Sequence, residues 1–321
     1  VIAFWGAAAV AVVVTGALIM VLHKARVMDV PNGRSSHVVP TPRGGGIAVM
    51  LAVVTGLALA GTIPWWVLAP SLLLSCVGLM DDVRSLPALF RLVAQVGVLA
   101  CAVFFLLDDG AKAFGLVALV GVIAAVGYVN AFNFMDGVNG ISALHAAVAG
   151  GWFVWVGSRY DVDVVGPVGA ALAGAVLGFL FWNARGSIFL GDVGSYGMGA
   201  LIALSSVFAW GAGVPALVVV APLGVYLSDT AWVLVKRKRA GKSLTEAHRD
   251  HVYQRLLGFG WSHLVSAAWS ASIAALGCVS VALLVDGNPV LAALVLAALL
   301  VLYLASPQLV QRTVLARKQA A

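Results

Sequence analysis

HLVSAAWSASIAALGCVSVALLVDGNPVLAALVLAALLVLYLA, residues 263–305, carries one charged side chain, Asp286. The apolar runs on either side of it, 263–285 and 288–305, each approach the roughly 20 residues a helix needs to cross hydrocarbon. Read outward from this pair, comparable runs occupy 1–22, 45–63, 65–80, 90–107, 114–130, 139–157, 164–182, 193–211 and 213–235. The shortest is 65–80, and the tight joins at 63–65 and 211–213 find their turns in Gly61, Pro64 and the Gly211 to Pro215 stretch. The chain is 62% hydrophobic and only 10% charged, with mean hydropathy +1.04. Soluble domains carry about 25% charged residues. The expected fold is therefore an all-α polytopic membrane protein, one integral domain over 1–321 with about eleven transmembrane helices.

Charge sets the orientation. With the 23–44 connection inside, strict alternation places every Lys and Arg on the inner side except Lys112 and Arg159. Miscounting one span would scramble that asymmetry. The N-terminus is then outside and the C-terminus cytoplasmic. The net charge of +6 reads as topology and attraction to lipid headgroups, so no nucleic-acid partner is expected. Residues 1–22 lack a basic leader and a small-residue cleavage site, and read as a first span rather than a signal peptide. Cys76, Cys101 and Cys278 fall inside apolar runs without CxxC spacing, which argues against a disulfide framework or a thiolate metal site.

The inner connections hold the chemistry. Residues 28–46, MDVPNGRSSHVVPTPRGGG, are stiffened by Pro31, Pro40 and Pro42. Arg34, Ser35, Ser36, His37, Thr41 and Arg43 are donors suited to phosphate, and Gly44 to Gly46 would allow close backbone approach to a ligand. A merely basic connector is the plainer alternative. Asp81 and Asp82 end the third span. Two adjacent carboxylates beside a bilayer need a counter-cation, either Mg²⁺ or Arg84 and Arg91.

Asn130, Asn133, Asp136 and Asn139 recur at every third position, and on a continuous helix that spacing would fan them around the axis. Gly137 and Gly140 offer a place to stop, so these side chains are expected to wrap a ligand at a helix end. Asp192, between Gly191 and Gly194, is either the N-cap of the eighth span or a cation ligand. Ser243-x-x-Glu246 has the form of a capping box, predicting a helix from about Leu244. His248, His251 and Arg255 would then share one face as a pyrophosphate clamp, with Gln254 pointing elsewhere. Zinc would require a further ligand nearby. Asp229, inside the ninth span, is expected to pair with a polar neighbour rather than to act in catalysis.

DVPNGRSSHVVPTPRGGG, GLMDD, NAFNFMDGVNG, FLGDVGS and HRDHVYQRL occur in this order along nearly the whole chain. Together they resemble the polyprenyl-phosphate N-acetylhexosamine-1-phosphate transferases, glycosyltransferase family 4, which includes MraY and WecA. The RSSH and HVYQRL forms look most like the WbpL/WecA branch, which initiates O-antigen or related surface glycans. The resemblance implies a bundle of ten or eleven helices in the bacterial inner membrane, with an active-site cleft facing the cytoplasm. It implies transfer of a sugar-1-phosphate from a UDP-N-acetylated sugar to undecaprenyl phosphate, with release of UMP. Mg²⁺ is the implied cofactor, Mn²⁺ an acceptable substitute, and a homodimer is compatible with the family.

By position, the resemblance makes Asp192 a metal ligand, with Asn133 beside it. Asp81, Asp82, Asp136, His248 and His251 take catalytic roles. Thr41, Arg43, Asn130, Asn139, Arg249 and Arg255 contact substrates. Ser85 departs from the acid or amide that many members carry three residues beyond the acid pair, and Arg249 and Asp250 interrupt the histidine motif. An ion-coupled transporter is the alternative from another class. Acids gathered at one surface, rather than at midplane in paired broken helices, weigh against it.

Overall fold

The computed structural model describes residues 1–31, 39–107, 115–243 and 248–320, with side chains to 314. Helices dominate: α1 (Ile2–Ala25), α2 (Gly46–Leu59), α3 (Trp65–Arg84), α4 (Ala88–Leu106), α5 (Gly115–Met135), α6 (Ile141–Arg159), α7 (Val165–Asn183), α8 (Asp192–Gly211), α9 (Ala216–Val220), α10 (Gly224–Arg239), α11 (Val252–Leu257), α12 (His263–Leu284) and α13 (Pro289–Ala320). A two-residue antiparallel ribbon pairs β1 (Met28–Asp29) with β2 (Thr41–Pro42). This is an all-α polytopic membrane protein. Among the described residues ten segments are long and apolar enough to span a membrane, counting α9 and α10 as one, and α2 is an eleventh, shorter apolar helix.

Two boundaries differ from expectation. The third span is not short, because it continues for 20 residues through the acid pair to Arg84. The short one is α2, at 14 residues. Two of the glycines that lead into it lie close against protein: Gly45 N–H donates to the Phe189 carbonyl at 2.9 Å and Gly46 N–H to that of Leu190 at 2.8 Å. A Cβ on Gly46 would stand 2.2 Å from the Gly194 Cα. Small residues that let helix backbones touch are the usual currency of association in lipid, where burying apolar surface gains little.

α8 is the axis of the bundle. Of its span, 89% is buried, against 22% for α1. It packs on α2, α3, α4, α5 and α6. Outer helices turn Trp5, Trp65, Trp66, Phe105 and Leu283 outward, an apolar surface that only hydrocarbon solvates without cost. The N-terminus of α8 and the C-terminal ends of α3 and α5 meet at one end of the bundle, where the polar side chains gather.

Candidate active site

The acid pair occupies the last turn of α3, and its two members have separate duties. Asp82 accepts from the backbone N–H groups of Asp192 (Oδ1, 2.9 Å) and Val193 (Oδ2, 3.0 Å). It therefore caps α8 from a neighbouring helix, at the end where the helix dipole favours negative charge. Asp192 is not the N-cap. Gly191 holds that position at φ 77°, and Asp192 is the first helical residue. The close approach depends on Gly78, one turn before the pair, where a Cβ would lie 2.1 Å from the Asp192 carbonyl oxygen. Asp81 instead accepts from Arg91 Nη1 at 2.9 Å, Tyr196 O–H at 3.1 Å and Leu86 N–H at 2.7 Å.

Arg43 joins the two acid-bearing helix ends. Its Nε is 2.8 Å from Asp82 Oδ1 and its Nη2 is 3.1 Å from Asp192 Oδ1. Backbone bonding fixes its position, because Arg43 bridges to Phe189 and Phe189 N–H donates to the Pro42 carbonyl at 2.8 Å. Burial works against the charge, but Asp192 and Asp82, with Asp29 and Asp136 further off, hold the guanidinium above its ordinary pKa. Asn133 completes the group, donating from Nδ2 to Asp192 Oδ1 at 2.8 Å and to Ser195 Oγ at 2.9 Å.

An open cleft of about 250 Å³ adjoins this group, walled by Arg43, Asp136, Asn139 and Asp192 together with Asp29, Gln254 and His263. α5 stops at Met135, which frees Asp136 and Asn139 to turn into the cleft. The turn is held by Gly140, at φ 87°, whose N–H donates to Asn183 Oδ1 at 2.7 Å. Desolvation pushes the Asp136 carboxyl up to about 6 against the opposing pull of the Ser142 hydroxyl, which donates to it at 2.7 Å, and of Arg43.

The other expected residues lie elsewhere. Asn130 donates to Gln95 Oε1 at 2.6 Å and does not border the cleft. Thr41 is buried in the ribbon opposite Asp29, which puts Asp29 at the cleft edge. Arg249 is exposed and Arg255 half-buried, and neither lines the cleft. Arg34, Ser35, Ser36, His37 and Glu246 fall outside the described residues.

The histidine segment corrects the expected helix. Leu244 to Ala247 are not described, residues 248–250 are non-helical, and α11 begins only at Val252. Its capping box is formed by His251 and Gln254. His248 and His251 precede the helix, so they share no helical face with Arg255. The cause is tertiary. Asp229, fully buried in α10, accepts from His251 Nδ1 (3.2 Å), Val252 N–H (3.1 Å) and the Tyr303 hydroxyl (3.0 Å). Two turns further on, Arg237 donates to Asp250 (2.9 Å) and to the Ser243 carbonyl (2.6 Å). Both ends of the loop are thereby pinned to one helix. His251 is buried and Gln254 faces the cleft, the reverse of the expectation. Gln254→Ala is accordingly expected to raise the KM of whatever occupies the cleft by about tenfold, the loss of one hydrogen bond to a charged group. An unchanged KM would remove Gln254 from the site.

No group of three or more His, Cys, Asp or Glu that could hold a metal occurs among the described residues. The donors present are hard oxygens. Mg²⁺ typically takes one or two carboxylates and completes its shell with water and substrate phosphate, so Asp192 with a neighbouring amide fits it.

A family model described as Glycosyl transferase family 4 matches residues 64–209, which include Asp81, Asp82, Asn133, Asp136, Asn139 and Asp192 but not Arg43 or the histidine loop. A decaprenyl-phosphate N-acetylglucosaminephosphotransferase of Mycobacterium tuberculosis is 31% identical, over 78% of this chain and 73% of its own length. A probable undecaprenyl-phosphate N-acetylglucosaminyl 1-phosphate transferase of Bacillus subtilis is 26% identical, over 76% and 73%. A phospho-N-acetylmuramoyl-pentapeptide-transferase of Bacillus pumilus is 33% identical over 45% of the chain and 44% of its own length.

Proposed function

The chain belongs to glycosyl transferase family 4, the polyprenyl-phosphate N-acetylhexosamine-1-phosphate transferases, and from that premise we propose that it moves an N-acetylhexosamine-1-phosphate from a UDP-sugar to a polyprenyl phosphate. Undecaprenyl phosphate is the acceptor of first choice, with decaprenyl phosphate to be tried beside it. An oxygen of the lipid phosphate forms a bond to the donor's β-phosphorus. The bond from that phosphorus to the α–β bridging oxygen breaks, and UMP leaves with the electron pair. The sugar's own C1–O bond stays intact, so its anomeric configuration is retained.

The observation that carries this reading is the convergence of Arg43, Asp136, Asn139 and Asp192 on one open cleft. Arg43, anchored by two carboxylates, offers its guanidinium to a pyrophosphate, the partner its fork geometry suits best. Asn139 presents an amide with both a donor and an acceptor, the pattern a nucleobase edge requires. Asp192 with Asn133 would hold Mg²⁺, which when bound supplies charge neutralisation for the departing UMP. Asp81 and Asp82 position their surroundings. The acceptor phosphate is largely ionised at neutral pH, so the pair needs to remove no proton. Purified protein given UDP-N-acetylglucosamine, other UDP-N-acetylhexosamines and undecaprenyl phosphate should release UMP only when donor and lipid are both present. UMP release without lipid, or none with any donor, would refute the assignment.

This reading requires the cleft to face the cytoplasm, where UDP-sugars are made, and the excess of Lys and Arg in the same connections supports that side. In a background lacking Cys76, Cys101 and Cys278, a cysteine at Ser158 or Gly287 should react in intact cells with an impermeant thiol reagent, and one at Ser243 should not. Labelling at Ser243 would put the cleft on the wrong side for a soluble nucleotide donor.

A further inference from the structure

Hydroxyls within the apolar helices commonly turn back onto their own helix: Thr55 donates to the Leu51 carbonyl, Ser71 to that of Val67 and Ser280 to that of Leu276. Ser142, the second residue of α6, does otherwise. Its hydroxyl donates to Asp136 Oδ1 at 2.7 Å, although Asp136 lies outside the helix, and the serine is buried. One oxygen of the carboxylate is fixed by this bond in the wall of the cleft.

The start of α6 is itself held from behind. Tyr226, in α10, donates its hydroxyl to the carbonyl of Ile141, next to Ser142, at 3.1 Å. Its ring lies flat on His145, with 3.6 Å between centroids and 9° between planes, and His145 Nε2 is 2.8 Å from the Tyr128 hydroxyl. Phe132 packs beside them, 5.3 Å from Tyr226, and all four side chains are fully buried. An ionisable side chain inside a span calls for a purpose. His145 meets aromatic rings and a neutral hydroxyl, so its purpose is mechanical: it ties α5, α6 and α10 together one turn beyond Ser142.

α10 fixes the facing wall as well. Asp229, three residues beyond Tyr226, accepts from His251 and Val252 at the start of α11, the helix that brings Gln254 to the cleft. Tyr253 closes the circuit. Its hydroxyl donates to the Phe134 carbonyl at 3.3 Å and leaves no room for a Cβ on Gly137, the residue after Asp136. Both walls are thereby registered against one helix.

Resting on the transferase reading, we infer that Ser142 is a positioning residue of the reaction, which acts through Asp136 by aiming that carboxylate, ionised, into the cleft, and that Tyr226 on its His145 support fixes where Ser142 stands. A carboxylate held by a preorganised donor and a rigid second layer is what an active site needs to keep its geometry.

The test uses pH, because a merely structural contact would lower the rate without regard to it. Burial already pushes the Asp136 carboxyl up to about 6, and the Ser142 hydroxyl opposes that rise. Without the hydroxyl the carboxyl moves further up, and the ionised form is regained only at higher pH. The kcat of UMP release in Ser142→Ala should therefore fall about tenfold below wild type at about pH 6, roughly one pKa unit for a hydrogen bond to a charged group. By about pH 8.5 the two should agree within about twofold. Taking the ratio cancels the groups that the substitution leaves in place around Asp136: Arg43 from the ribbon, Asp82 from α3, Tyr226 from α10 and Tyr253 from α11, with Asp29, Asp192 and His263 across the cleft. Ser142→Thr, which keeps a hydroxyl, should restore most of the activity at about pH 6. A ratio that is the same at every pH, no loss in Ser142→Ala, or a threonine as impaired as the alanine overturns the inference. If Ser142→Ala does not yield folded protein, Ser142→Cys, a weaker donor of similar size, is judged by the same pH dependence. Wild-type protein that releases no UMP at any pH refutes the transferase reading itself, a result distinct from a flat ratio between two active proteins.

Discussion

Asp192→Asn is expected to lower turnover by about three orders of magnitude or more, the scale seen when a group that stabilises transition-state charge is removed. The same variant should melt and elute as the wild type does. The structure separates the two effects because α8 starts on the backbone of Asp192, whose N–H is held by Asp82, while the side chain meets Arg43 and Asn133 through Oδ1. An amide in its place keeps the shape and the cap. It loses the negative charge that offsets Arg43 and that a divalent cation requires. Near-normal turnover in this variant, or full activity of the wild type in EDTA, would remove the metal from the reaction.

Asp82→Ala should fail differently. Its carboxylate accepts two backbone N–H groups and one arm of Arg43 while being almost entirely enclosed. Deletion leaves two donors at the start of α8 without an acceptor and removes one of the two anions on a partly exposed cation, a loss on the order of 2–4 kcal/mol, mostly from the unpaired N–H groups. A thermal melt in detergent should fall by several degrees, with turnover lost in the same preparation. Asp82→Asn retains an acceptor oxygen and should recover much of the stability and little of the activity. If Asp82→Ala melts with the wild type, the cross-helix cap contributes nothing.

Hydropathy, a local signal, located every span, because the cost of exposing backbone in hydrocarbon has to be met segment by segment. The helix stop before Asp136 was equally legible, since Gly137 and Gly140 lie in the adjoining sequence. What could not be read depends on partners far away in the chain. Ser243 and Glu246 have the form of a capping box, yet Asp229 and Arg237 bond to residues 250–252, residues 248–250 are non-helical, and the cap is made by His251 and Gln254. Arg237 looks like one more member of a topogenic KRKR run, but it is buried and bonded on two sides. Asp29 opens the first quoted motif without any feature that singles it out, and His263 lies in none; they reach the cleft through a short ribbon and the start of α12. Only Gln254 left a trace, a polar residue between Tyr253 and Arg255 in a helix that periodicity turned the wrong way.

Asp82 and the peptide N–H it holds are 110 residues apart. At about 5–20 residues per second, a ribosome needs roughly 5–20 s to make the chain between them. Throughout that interval α3 exists without α8, and a lone carboxylate near the bilayer would be a liability. Arg43, synthesised earlier than either, is available from the start. An ion pair with it would offset the charge of the nascent acid before α8 is delivered.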